Sequence, residues 1–97
     1  MITFKQALDL AKKNIAEMDS TYEITYLDRF SEGWFFCYQS GEYLETGNTS
    51  YLLAGNSPII IDKDSGVIIE TGTIHPIEKY LEEYVEKKRN DIKSNFK

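Results

Sequence analysis

Between residues 4 and 18, apolar side chains return every three or four positions. Phe4, Ala7, Leu8, Ala11, Ile15 and Met18 fall on one helical face and leave Lys5, Asp9, Lys12, Lys13 and Glu17 to solvent. Thr3 and Gln6 stand three apart just before this run. That is capping-box spacing, in which the Thr hydroxyl accepts from the Gln amide while the Gln side chain reaches back. The pattern predicts a helix over 4–18, ended by Asp19 and Ser20.

The period then changes from helical to alternating. Tyr22, Ile24, Tyr26 and Phe30 are expected on one side of a strand, with Glu23, Thr25 and Arg29 on the other. Ser31, Glu32 and Gly33 make a short connection to a very apolar strand, Trp34-Phe35-Phe36-Cys37-Tyr38, so the two should form an antiparallel hairpin. Residues 41–57 are the least regular stretch. Gly41 to Glu45 are read as continuing the sheet or forming an edge, and Gly47-Asn48 as a turn. Ser50 to Ala54 are expected to form one helical turn capped by Asn48 or Thr49, with Gly55 and Pro58 after it. Ile59-Ile60-Ile61 and Val67-Ile68-Ile69 are two β-branched runs joined by Asp62-Lys63-Asp64-Ser65-Gly66, a hairpin turn in which Gly66 offers a positive φ.

A second amphipathic stripe, Ile77, Tyr80, Leu81, Tyr84 and Val85, follows Pro76, which suits the first turn of a helix. Acidic residues lead this helix and basic ones trail it, in the order that complements the helix dipole; residues 94–97 are expected to fray. The elements predict a single α+β domain over residues 1–97. It has an antiparallel meander of about four strands flanked by N- and C-terminal helices, both packed on one face.

Composition narrows the class. Hydrophobic residues make up 41% of the chain, and seven Tyr, five Phe and one Trp give it apolar surface to bury, against disorder. Cys37 is the only cysteine, so an intrachain disulfide and a four-cysteine zinc site are both excluded. The N-terminal residues show no basic stretch followed by an apolar one, and no run approaches a membrane span; a cytoplasmic location is the expectation. The net charge of −5 is unevenly spread: −2 over residues 1–40, −4 over 41–76 and +1 over 77–97. Nucleic acid is therefore not an expected partner, because a phosphate-binding face needs clustered Lys and Arg. A basic protein partner fits the acidic middle.

Candidate chemistry is sparse, and the chain is not expected to be an enzyme. Cys37, His75 and Asp62 are the residue types of a nucleophile, base and orienter, but nothing in the sequence draws them together. A single histidine excludes a histidine-rich metal site. Asp62, Asp64 and Gly66 echo the start of a calcium loop, yet the glycine falls at the fifth position and Thr73 at the twelfth, where a glutamate is needed. No metal or other cofactor is expected. Glu42, Tyr43, Glu45, Asn48 and Tyr51, with Asp62 and Asp64 in the following turn, instead make an acidic, tyrosine-bearing stretch suited to contact with a partner.

Residues 33–80 resemble the immunity protein 35 family, also described as the YrhB domain. The resemblance is carried by Gly33 to Tyr38, Glu42-Tyr43, Gly47-Asn48, the run from Leu53 to Gly66, and Gly72-Thr73, Pro76, Glu78 and Tyr80. Ser65 stands where that family often has threonine. The resemblance implies a small bacterial protein encoded beside a polymorphic toxin, which binds and neutralises that cognate toxin. It brings no catalytic residues with it. The alternative from another class is a stress-related or chaperone-like protein that holds unfolded chains.

Overall fold

The computed structural model describes residues 1–51, 58–72 and 74–95. The order is α1 (Phe4–Met18), β1 (Glu23–Phe30), β2 (Gly33–Gln39), α2 (Gly41–Thr46), a 3-10 turn (Thr49–Tyr51), β3 (Ile59–Asp62), β4 (Ile68–Glu70) and α3 (Ile77–Asn95). The four strands form one sheet in sequence order, each antiparallel to its neighbour. The antiparallel meander with a helix at each end is thus the fold.

The capping box forms as its spacing requires. Gln6 N–H donates to Thr3 Oγ1 at 3.2 Å, and Thr3 N–H donates to Gln6 Oε1 at 2.8 Å. Ala7, Ala11 and Ile15 of α1 are buried against Phe36, Tyr38, Ile59 and Ile61, with Trp34, Ile24 and Ile68 partly buried around them. Alternation along β2 and β3 puts these residues on one face of the sheet. Trp34 is half-buried between sheet and helix, its ring centroid 6.0 Å from that of Phe4.

Two expectations need correction. The helices do not share a face. α3 meets the sheet through Phe30, Ile60, Asp62 and Ile69, which alternate with the α1-facing residues and point the other way. Each apolar strand of the centre, Trp34 to Tyr38 and Ile59 to Ile61, is apolar at every position, so both faces want covering and one helix goes to each. Nor do Tyr22, Ile24, Tyr26 and Phe30 share a side. Ile24 pairs with Tyr38 and Tyr26 with Cys37, so Thr25 is an extra residue, a β-bulge. Beyond it the alternation inverts, and Tyr26 and Phe30 join the α3 face.

The turns hold as read. Gly66 takes φ +74° in the β3–β4 hairpin and donates its amide to Asp62 O at 2.9 Å. Gly33 closes the first hairpin where β2 passes β3 so closely that a Cβ there would lie 2.1 Å from Ile61 O. The C-terminal helix continues through Ser94 and Asn95, where fraying was expected.

Candidate functional site

Residues 41–46 form α2 rather than a strand or sheet edge. Ser40 Oγ accepts from Tyr43 N–H at 3.3 Å as its N-cap, and Gly47, at φ 69°, ends it by donating its N–H to Tyr43 O at 2.7 Å. Cap residues on both sides favour a helix here. Gly41 sits so close to Thr21 that a Cβ would approach Thr21 O to 2.2 Å, which pins the start of α2 against the turn before β1. Asn48 Oδ1 then accepts from Ser50 N–H at 3.0 Å and Ser50 Oγ at 2.9 Å, opening the 3-10 turn as an Asn cap. Leu52 to Ser57, and with them most of the expected helical turn, lie outside the described residues.

On α2, Glu42 and Glu45 are exposed, Tyr43 is half-buried and Leu44 is 46% exposed. They border a shallow cleft of about 450 Å³ lined by Ser20, Thr21, Glu23, Gly41, Glu42, Leu44 and Glu45. Glu23 therefore joins the acidic pair from the start of β1. The sequence reading missed it because it lies outside the irregular stretch; its only signal was a glycine immediately after a strand, where the chain had to pass close to something. Asn48 is exposed just beyond α2, and Tyr51 ends the 3-10 turn.

Asp62 and Asp64 are not part of this cleft. Asp62 pairs with Gly33 at the start of β2, while α2 follows its end at Gln39. Six residue steps separate the two ends, about 20 Å at strand rise. Asp62 is 2% exposed and fully engaged: Oδ1 accepts from the amides of Asp64 (2.7 Å) and Ser65 (3.2 Å), and Oδ2 accepts from the Tyr84 hydroxyl and from Lys88 Nζ at 3.0 Å. Lys88 Nζ also lies 2.8 Å from Glu32 and 2.8 Å from Asp64. Burial pushes the Asp62 carboxyl up, but the bonds from Tyr84, Lys88 and the two amides outweigh it and hold it at about 2. Burial and the neighbouring Asp62 carboxylate push the Tyr84 phenol well up. Burial disfavours the Lys88 ammonium, yet its three carboxylates win and raise its pKa. The calcium-loop echo is thus satisfied from within the chain, by a lysine.

The nucleophile–base–orienter trio is not assembled. Cys37 lies four steps along β2 from the partner of Asp62, about 13 Å at strand rise, and burial raises its thiol pKa, away from a reactive thiolate. His75 stands against Tyr80, ring centroids 5.8 Å apart. Among the described residues, no group of three or more His, Cys, Asp or Glu is placed to hold a metal ion, and no helix is long and apolar enough to cross a membrane.

The described residues thus form a small meander sheet with turn-fixed hairpins and an acidic cleft beside α2. The chain belongs to the immunity protein 35 family, whose model matches residues 5–87. It is 48% identical over 88 residues to an uncharacterized protein, YrhB, of Escherichia coli strain K12, covering 91% of this chain and 94% of that protein. No solved structure matches significantly.

Proposed function

We infer that this protein is an immunity protein that binds a cognate bacterial toxin one-to-one and neutralises it by occupying its surface. The observation that carries this reading is the family match over residues 5–87, which favours toxin immunity over a chaperone-like role. The reading places the protein in the cytoplasm and its contact surface on Glu42, Tyr43, Glu45, Asn48 and Tyr51, now joined by Glu23 across the cleft. Three carboxylates around the exposed Leu44 suit a basic toxin surface with an apolar anchor. Asp62 is consumed internally, and Asp64 is half-committed to Lys88, so the β3–β4 turn contributes little beyond field.

The test is binding to the toxin encoded in the adjacent gene. Wild-type protein should form a 1:1 complex and abolish toxicity on co-expression. Glu23→Lys, Glu42→Lys and Glu45→Lys together should lower the association rate tenfold or more and flatten its salt dependence. Failure to bind at all would reject the immunity reading. Binding with an unchanged rate would keep that reading and remove the cleft from it.

A further inference from the structure

α3 covers one face of the sheet without joining the core. None of its residues 77–90 is buried; Tyr80, Leu81, Tyr84 and Val85, which it turns inward, stay half-buried. The buried cluster beneath α1 draws no residue from positions 77–90 of α3. On both flanks α3 stands clear of the strands. A groove of about 580 Å³ runs between Ile60 and Ile69 on the sheet and Tyr80 and Tyr84 on the helix. A second, of about 390 Å³, lies between Phe30 and the pair Leu81 and Val85.

The attachment is largely polar and concentrated at one place. Lys88 draws together Glu32 from the β1–β2 turn, Asp62 from the end of β3 and Asp64 from the β3–β4 turn, each within 3.0 Å. Tyr84 adds its hydroxyl to Asp62 and a T-shaped ring contact with Phe30, centroids 6.2 Å apart. At the other end, the Tyr80 hydroxyl accepts from the His75 amide at 3.3 Å and its ring lies against that of His75. Few buried apolar contacts and a handful of polar bonds define the segments that open first, whereas α1, with Ala7, Ala11 and Ile15 buried, belongs to the last.

We propose that α3 is a detachable strap, latched by Lys88 on Glu32, Asp62 and Asp64, which lifts as a unit and uncovers Phe30, Ile60 and Ile69 while α1 and the sheet stay folded. This goes beyond the toxin-binding reading and does not depend on it. The open form presents an apolar strip that the closed form covers, Ile60 almost wholly at 1% exposed and Phe30 and Ile69 in part.

The experiment is native-state hydrogen exchange on the full chain across a series of low denaturant concentrations. Amides of residues 80–90 should merge into one opening of lower free energy and smaller denaturant dependence than the amides of β2, β3 and α1. A single isotherm shared by α3 and the core overturns the proposal. Lys88→Met provides the second arm. It should reduce α3 protection at least tenfold and increase binding of the apolar dye anilinonaphthalene sulfonate. The emission of Trp34, which packs on the opposite face, should stay unchanged. Unaltered α3 protection in this variant refutes the latch; should the variant unfold outright, the wild-type isotherms decide.

Discussion

Tyr84, near the middle of α3, donates its hydroxyl to the very oxygen of Asp62, Oδ2, on which the Lys88 ammonium rests. Asp62 is buried, so its charge survives only through these partners and the turn amides. Replacing Tyr84 by Phe removes one donor from a buried carboxylate. The expected cost is about 2 kcal/mol in denaturant melts, with an upward shift of the Asp62 carboxyl measurable by carboxyl-carbon NMR titration. A cost near zero would show that water or Lys88 takes over the vacated position.

Acid should weaken the fold through the same residue. The folded-state pKa of Asp62 is lowered to about 2, against roughly 3.9 in an unfolded chain. The unfolded state therefore binds the proton first as pH falls. The stabilisation is whole above about pH 5 and is lost progressively as pH falls through about 2, about 2.6 kcal/mol in full, most of it gone by pH 2. Urea melts at pH 5 and pH 2 should show it, and Asp62→Asn should flatten that part of the profile while lowering stability at pH 7.

Gly33→Ala should be damaging out of proportion to one methyl group. Its Cβ would meet the Ile61 carbonyl oxygen at 2.1 Å and the Lys63 amide nitrogen at 3.0 Å, both backbone atoms in the sheet. The strands must part or the hairpin must shift, and a loss of about 2 kcal/mol or more is expected. Gly47→Ala is the control: nothing lies within 4 Å of its Cβ position, and only its left-handed φ of 69° is strained, so a loss of about 1 kcal/mol should follow.

Trp34→Ala removes a half-buried indole that packs between Phe4 and the core. Partial exposure brings the expected cost to about 2 kcal/mol, below that of a fully buried aromatic. A double-mutant cycle with Phe4→Ala should return a coupling of about 1 kcal/mol for the tilted ring pair. Zero coupling would mean that the two rings pack on the core independently.

Most of the scaffold was legible because local signals and global packing agree. The α1 stripe, its capping box, both hairpin turns and the Asn48 cap each follow from a few adjacent residues. What escaped depended on long-range placement. Which face α3 would cover is written in the strands it meets, Ile60 and Ile69, and not in its own stripe, which is the same for either face. The bulge at Thr25 leaves no composition signal, because one extra polar residue in an exposed strand costs the alternation nothing until the register is known. The candidate site divided for a similar reason. Asp62 and Glu45 are neighbours in a plot of charge along the chain, yet the sheet puts them at opposite ends, and Lys88, from a segment of net positive charge, takes Asp62 out of reach. Gly41 to Glu45, read as continuing the sheet or forming an edge, are a helix because of the caps at Ser40 and Gly47.

The extra residue at Thr25 lies on an open edge of the sheet. β1 is the longer open edge of the sheet, eight residues with main-chain groups available along one side. A flat edge of that length is a template on which another strand can polymerise. Here the kink interrupts the repeat partway along, and Glu23, Asp28 and Arg29 place charge on both sides of it. An incoming strand can match one half of the edge or the other, but not both in a single register. A bulge and charged side chains on an edge strand are the kind of irregularity that works against edge-to-edge pairing.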